Sequence, residues 1–524
     1  MKVNNFFYEL NFLTKFSNLK YKKLRLLLSV LFINLSVGLD ILIILIFSKY
    51  FSNQTSTDFL VVEYIFENMY IFPIIVVFRF LFFYLDKLNQ LNFKENINKD
   101  LKYFTLNELY KSGRYSISDT NFYVNNVSSH VSFFYSALIQ FSNNIIQFII
   151  YFSFLIITNF NLLFTMSFIG LVLFIPTRFL LSKSRKFADL SYTTSKAIVG
   201  EIQKIIDNLL LIKVLKTHIK EFNSFQKRLN NLKNIETKNQ IIKDFNASFP
   251  TFSITLILSF LISFFTVLKN LTLDFLGGIL RLVQTIGQIN GSLTSLVNSR
   301  VHLEKLTELI QENESSDEYQ IIINEDLEKA IVMENIEFKY KNSEEPLFTN
   351  LNLEFEKYKH YVIVGPNGTG KSTLMGLIGG VLRPVNGTVN VCDDNLAYVG
   401  ANSLIFENTV KANLVYGLED KKVSDSVLSE YLNKFSVFEE NNLDRVINNN
   451  SVSSGQSQKI SFIRALLKEP EILLLDESTS NLDEDSKLLI RDILNKFENS
   501  IINVTHNAED FDYDEKIDMG KLRN

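Results

Sequence analysis

HYVIVGPNGTGKSTLMGL, residues His360 to Leu377, is the stretch that decides how the rest of the chain is read. Tyr361 to Val364 is a mostly β-branched apolar run that predicts a buried strand, and Lys371, Ser372 and Thr373 open a helical pattern after the turn Gly365 to Gly370. This is G-x-x-x-x-G-K-[ST] between a strand and a helix. Gly365, Gly368 and Gly370 let the backbone curl close to an anion, so that successive N–H groups and the helix N-terminus face the phosphates of a nucleotide. The candidate nucleotide-binding set is therefore Gly365, Pro366, Asn367, Gly368, Thr369, Gly370, Lys371, Ser372 and Thr373. Lys371 is expected on the β- and γ-phosphates and the Ser372 hydroxyl on Mg²⁺. A glycine-rich turn with a chance lysine would lack the flanking strand and helix.

At 524 residues the chain exceeds what one core supports, so two domains are expected. Hydrophobic content of 47% against 21% charge excludes disorder, and Phe, Leu and Ile crowd the first three hundred residues. That asymmetry separates a membrane half from a soluble half. Cys392 is the single cysteine, which excludes an internal disulfide and a Cys-rich metal site. A formal net charge of −4 offers nothing for nucleic acid, and none is expected as a partner.

Met1 to Arg25 scatters lysines around an apolar patch and reads as an interfacial amphipathic helix. Six apolar segments follow, near Leu26–Phe47, Phe59–Leu85, Val131–Ile157, Leu162–Leu181, Phe249–Leu268 and Leu271–Ile289. Each approaches the roughly 20 residues that cross a bilayer core. The gaps Asp86–His130 and Ser182–Asp244 are long and helix-patterned, whereas the other three are short polar turns. Basic residues from Lys183 to Arg228 place the long loops, the N-terminus and the phosphate-binding loop on the cytoplasmic side, where ATP is. Within the spans, Glu63, Glu67 and Asp274 are expected towards the outer ends, while Arg281 lies about two helical turns deeper. Arg281 is therefore the expected cavity residue, contacting an anionic or polar cargo or pairing with an acid on another helix; a side chain snorkelling to a headgroup is the alternative.

A helix over Leu293 to Ile310 gives way to the acidic run Gln311 to Gln320, so the domains are expected at 1–310 and 330–524 with 311–329 as linker. IVMENIEFKY and NLNLEF then predict strands. Three stretches beyond the phosphate loop carry chemistry. EILLLDE, Glu471 to Glu477, is a buried-strand pattern ending in two acids, where Asp476 can orient Mg²⁺ and Glu477 can polarise the attacking water. VSSGQSQKISFIRALL, Val452 to Leu467, opens a helix on small residues, either as a phosphate site or as a serine N-cap. IINVTH, Ile501 to His506, ends an apolar strand on an imidazole that could meet a γ-phosphate.

In order and spacing these motifs resemble those of ABC transporters, and the whole chain resembles an exporter-type half-transporter: a six-helix all-α transmembrane domain followed by an α/β P-loop ATPase domain. The resemblance identifies Walker A at Gly365–Ser372, the signature at Val452–Gln456, Walker B at Ile472–Asp476, catalytic Glu477, a D-loop at Ser480–Asp483 and switch His506. It implies that Tyr340 stacks on adenine, that Ser372 and Asp476 serve Mg²⁺, and that Ser453, Ser454, Gly455 and Gln456 close over ATP held by a second half-transporter chain. A homodimer is the simpler choice, because Glu477 and His506 are both present. Turns near Ser112–Asp119 and Leu209–Lys216 would be coupling helices touching the nucleotide domains.

Several positions depart from the family pattern. Ala401 stands where a glutamine is usual, in AYVGANSLIF rather than YVPQ; an alanine cannot ligate a metal, and Asn402 is shorter and out of register. Ser454 replaces the first signature glycine and Val452 the leading leucine. The resemblance implies an ATP-hydrolysing exporter or flippase of an amphiphilic substrate in the inner (plasma) membrane, with lipid around it and its nucleotide domain in the cytoplasm. The alternative is a regulatory or gating membrane protein with little hydrolysis, for which Ala401 speaks.

Overall fold

The computed structural model describes residues 19–522 apart from 53–58, 113–115, 265–271, 315–321, 341–342, 344, 402, 419–421, 507 and 509–510. The chain forms two compact units, the first reaching Glu312 and the second beginning at Asn313. The expected amphipathic helix at the N-terminus falls largely outside the described residues.

The first unit is helical: α1 (Leu19–Ser52), α2 (Leu60–Glu67), α3 (Phe72–Ser112), α4 (Ile117–Asn121), α5 (Ser128–Asp207), α6 (Leu209–Val214), α7 (His218–Phe264) and α8 (Leu273–Glu314). Among the described residues, Leu24–Phe51, Met69–Lys111 and Ile117–Thr158 are long and apolar enough to cross a membrane. Their large apolar side chains also face outward, as Val77, Phe78, Phe80 and Tyr84 do on α3. Such faces suit a hydrocarbon solvent, where the helix has already paired its own backbone groups.

The second expected span, Phe59–Leu85, is not one helix. α2 ends at Glu67, a 3-10 turn covers Met69–Ile71, and α3 starts afresh at Phe72. Pro73 has no N–H to donate and so belongs in a first turn rather than a helix interior. Glu63 and Glu67 thereby sit on a separate short helix, Glu63 within 3.7 Å of Lys49. The third and fourth expected spans both lie within the range of α5. The chain reverses within that range. Tyr192 Oη lies 3.4 Å from Tyr123 Oη and its ring meets Phe122 edge-on at 5.3 Å. A straight helix would hold residues 123 and 192 about 100 Å apart. Two antiparallel arms are required, and halfway between the contacting residues is about residue 157. The sixth expected span belongs to α8, which continues to Glu314, about one turn past the predicted end at Ile310. Gly287 explains how closely α8 is packed: a Cβ there would stand 2.6 Å from the Ala247 carbonyl oxygen of α7.

The second unit holds two main sheets. One, of β1 (Ile322–Ile323), β2 (Lys329–Phe338), β3 (Phe348–Glu356) and β5 (Asn386–Val391), has the order β1-β5-β2-β3, antiparallel where β2 meets its neighbours. The other is wholly parallel, with the order β11-β4-β10-β9-β6, from β4 (His360–Val364), β6 (Leu396–Gly400), β9 (Ile472–Asp476), β10 (Ser500–Val504) and β11 (Glu515–Asp518). A minor pair, β7 (Asn408–Thr409) and β8 (Val446–Ile447), completes the strands. Continuous apolar runs such as Ile472–Leu475 form the central parallel strands because helices cover both faces.

Candidate functional site

The register of the parallel sheet gathers the site. Gly400 pairs with Asp476, Asp476 with Val504, and Val504 with Ile363, so β6, β9, β10 and β4 end at one level. The turns leaving that carboxyl edge carry Ala401, Glu477, His506 and Gly365–Gly370 side by side. Ligands of open parallel sheets collect at such an edge.

The phosphate-binding loop runs from β4 into α9 (Lys371–Ile378). Gly370 has φ +95°, and a Cβ on it would strike the Phe348 ring at 2.6 Å, so only glycine fits. Thr369 Oγ1 donates to the Pro366 carbonyl oxygen at 2.9 Å and braces the loop. Lys371 is buried, its Nζ donating to the carbonyl oxygens of Gly365 at 2.8 Å and Pro366 at 3.2 Å. The ammonium is thus held inside the loop that surrounds it. Tyr340 follows β2; its hydroxyl lies 2.7 Å from Thr373 Oγ1, and Phe338 meets its ring edge-on at 4.9 Å. These contacts fix a half-exposed aromatic ring beside the first turn of α9.

Asp476 closes the other side, accepting hydrogen bonds from Ser372 and Tyr398. Burial raises its carboxyl above the ordinary value, an effect that the Ser372 bond opposes and that Glu477 adds to. Glu477 has φ +51°, uncommon for a side chain with a Cβ, and its N–H donates to the Val504 carbonyl at 2.9 Å. That conformation turns its carboxylate towards His506, whose Nε2 is 3.0 Å from Oε1. The structure therefore brings Lys371, Ser372, Asp476, Glu477 and His506 to one edge, with Tyr340 attached through Thr373.

The signature residues have a different local role. Ser453 caps α12 (Ser454–Lys468; α10 is Val410–Leu414 and α11 Asp425–Lys434), accepting from Gln456 N at 3.2 Å while the Gln456 side chain accepts from Ser453 N at 2.9 Å. This is a reciprocal capping box, with Ser454 and Gly455 in the first turn. Three residues that the sequence did not single out, although each lies in a stretch quoted above, join the site. Gln458, fully buried, donates to the Glu477 carbonyl at 3.5 Å and accepts from Asn481 N at 3.2 Å. Asn481 Nδ2 donates to the Ala401 carbonyl at 3.2 Å, and Tyr398 reaches Asp476. Asn402 lies outside the described residues. An amide at 458 among Ile460, Phe462 and Ile463 was the available signal, because a buried glutamine needs partners.

Residues 348–480 match the family model described as ABC transporter. The uncharacterized ABC transporter ATP-binding protein YclH of Bacillus subtilis is 30% identical over 199 residues, 34% of this chain and 86% of that protein. This chain belongs to the ABC transporter family. Longer ABC proteins align over a smaller share of their own length: the ATP-dependent permease MDL1 of Candida albicans is 32% identical over 185 residues, 32% of this chain and 27% of that protein. The putative export ATP-binding/permease protein RT0691 of Rickettsia typhi is 33% identical over 219 residues, 37% of this chain and 38% of that protein. The fold likeness is far wider. A solved structure of a bacterial Atm1-family ABC exporter with ATP bound superposes with a TM-score of 0.77 at 16% identity, over 95% of this chain and 94% of that one. The ABC transporter thus has an exporter-like fold of helices followed by an α/β unit.

Proposed function

We propose that this ABC transporter is one half of a dimeric, ATP-hydrolysing exporter or flippase that moves its cargo out of the cytoplasm, or between leaflets, by alternating access. The observation that carries the reading is the gathering of Lys371, Ser372, Asp476, Glu477 and His506 on one sheet edge, in a chain whose other unit has helices apolar enough to cross a membrane. Residues 1–310 would be the transmembrane domain and 330–524 the cytoplasmic nucleotide domain, in a plasma membrane.

In this reading the loop's N–H groups and Lys371 bind the ATP phosphates and Tyr340 stacks on the base. Mg²⁺ suits the donor set: Ser372 and Asp476 offer oxygen alone, and this ion takes one or two protein ligands beside phosphates and water. It would neutralise phosphate charge. Glu477 takes the proton from the attacking water, and His506 orients that carboxylate and meets the γ-phosphate. Ser453, Ser454, Gly455 and Gln456 would serve the ATP of the second copy. ATP closes two such domains and hydrolysis lets them part.

The test is ATP turnover by the full chain in lipid vesicles, with Glu477→Gln alongside. Turnover by the unmodified chain and its loss in Glu477→Gln support the reading; no turnover above that variant favours an ATP-gated regulatory protein. Ala401 favours that second reading, because it offers the site only a backbone carbonyl, already bonded to Asn481.

A further inference from the structure

The helical unit lines a half-open cavity of about 510 Å³ in which most of the lining side chains are polar or charged. Binding pockets for amphiphilic molecules are lined mainly by apolar and aromatic side chains. Here the apolar side chains are Ile33, Val37, Phe83 and Phe133, beside the Tyr151 ring and the aliphatic stems of long polar side chains. Two facing helices instead present polar stripes at helical spacing. Gln140, Asn144, Gln147 and Tyr151 follow one another at intervals of four, three and four along α5, and Arg281, Gln284, Gln288 and Ser292 at three, four and four along α8.

The charges are organised as well. Asp40 of α1 is buried between two guanidiniums: Arg79 Nε of α3 lies 2.7 Å from Oδ1, and Arg281 Nε of α8 lies 2.7 Å from Oδ2. Arg281 Nη2 also donates to Oδ1 at 3.1 Å, and Tyr151 Oη donates to Oδ2 at 2.9 Å. One carboxylate therefore faces two arginines, both still partly open to the cavity. Lys87 and Lys243 also line the walls, against the single further acid Asp86. Asp86 is already engaged by Ser29 and by Gln90, the latter at 2.8 Å. Four basic side chains against two acids leave the cavity positive, in helices where an unneeded charge is costly.

We propose that this cavity binds a hydrophilic anionic cargo, with Arg79 and Arg281 as its anion site and Asp40 as the internal carboxylate with which the cargo's acid group competes. The inference deepens the export reading and rests on it. A carboxylate or phosphate would take the open guanidinium edges as charge-assisted bonds, and the stripe of carboxamides would meet the cargo's polar body. The amphiphilic cargo implied by resemblance is the competing reading.

The full chain in neutral phosphatidylcholine nanodiscs, without nucleotide, tests this by fluorescence polarisation. Carboxyfluorescein serves as the hydrophilic polyanion and rhodamine 6G as the amphiphilic cation. Carboxyfluorescein should bind at least about tenfold more tightly than rhodamine 6G, and Arg281→Gln should weaken it about tenfold, the loss of one charge-assisted contact. Asp40→Asn should tighten it, an effect misfolding cannot mimic. If Asp40→Asn does not fold, the double variant Asp40→Asn, Arg79→Gln keeps one guanidinium without its competitor and should still bind carboxyfluorescein. Preference for rhodamine 6G, or weaker or unchanged carboxyfluorescein binding in a monodisperse Asp40→Asn chain, overturns the proposal and leaves the cluster as a helix-to-helix brace. ATP turnover of the unmodified chain in the same discs separates the two ideas: turnover without carboxyfluorescein binding sinks the anionic cargo alone, and binding without turnover sinks the export reading.

Discussion

Tyr340 offers a test of the nucleotide site in which two substitutions have different expected costs. Its ring is held between an edge contact from Phe338 and a hydroxyl bond to Thr373, and half of it is open. Tyr340→Ala removes the stacking platform, worth about 1–3 kcal/mol per base, so the ATP dissociation constant should rise about 5- to 150-fold. Tyr340→Phe keeps the ring and its Phe338 contact and loses one hydroxyl bond, to the buried Thr373 hydroxyl. The net worth of such a bond is about 0.5–1.5 kcal/mol, a rise of roughly 2- to 12-fold. Because every base has an aromatic face, Tyr340→Ala should weaken GTP and ATP by similar factors. Titration calorimetry with Glu477→Gln as background avoids turnover during the measurement. Equal losses in the Phe and Ala variants would show that the hydroxyl, acting through Thr373 on the loop, matters rather than the ring. The stacking assignment would then be withdrawn.

Lys371→Ala should raise the ATP dissociation constant by at least about tenfold, since a charge-assisted contact to phosphate is lost; an unchanged constant would show that the loop is not the site. Glu477→Gln should retain ATP binding, lose nearly all turnover and hold two chains together more stably with ATP, as read by light scattering; near-normal turnover removes Glu477 as the base. Ala401→Gln should increase cargo-stimulated ATPase if the missing side chain limits water and Mg²⁺ placement, and no increase points to residues already present. Tyr398→Phe deletes a hydrogen bond that favours ionised Asp476, whose carboxyl burial already pushes up. A larger fraction of Asp476 is then protonated at any given pH, so the acidic limb of the ATPase profile should move to higher pH. A limb that stays in place means that Asp476 does not set it.

The strand-turn-helix setting of Gly365–Gly370 and the strand ends carrying Asp476, Glu477 and His506 were legible in sequence because each pattern is local: a few consecutive residues supply it whole. The capping box at Ser453 was legible in the same way, as one of two readings of the same small-residue helix start. The membrane segments were legible as apolar composition but not as boundaries. Hydropathy averages over Asn68 and Pro73, where the backbone breaks between α2 and α3, and it cannot see that α8 continues past Ile310. The Asp40 cluster was half legible. Arg281 stood out as a charge in an apolar run, but its partner lies 241 residues earlier and no spacing links them.

Ala401, where the resemblance implies a glutamine, is best read together with its neighbours. Taken singly, Ala401 removes a polar group from beside Asp476. The neighbouring exchange changes the account, because Gly400 stands where the family usually has proline. A Cβ at residue 400 would lie 2.4 Å from Tyr398 Oη, so the tyrosine can fold back only over a glycine. Once folded back, its hydroxyl reaches Asp476, and the Ala401 carbonyl accepts from Asn481. Asn481 in turn is joined through Gln458 to the Glu477 carbonyl, so the Ala401 turn is tied to the Glu477 turn. Gly400 and Ala401 are thus better understood as one rearrangement than as one defect. Restoring glutamine at 401 alone adds a ligand to a site that Tyr398 has entered, so its benefit should be larger when Tyr398→Phe is made with it.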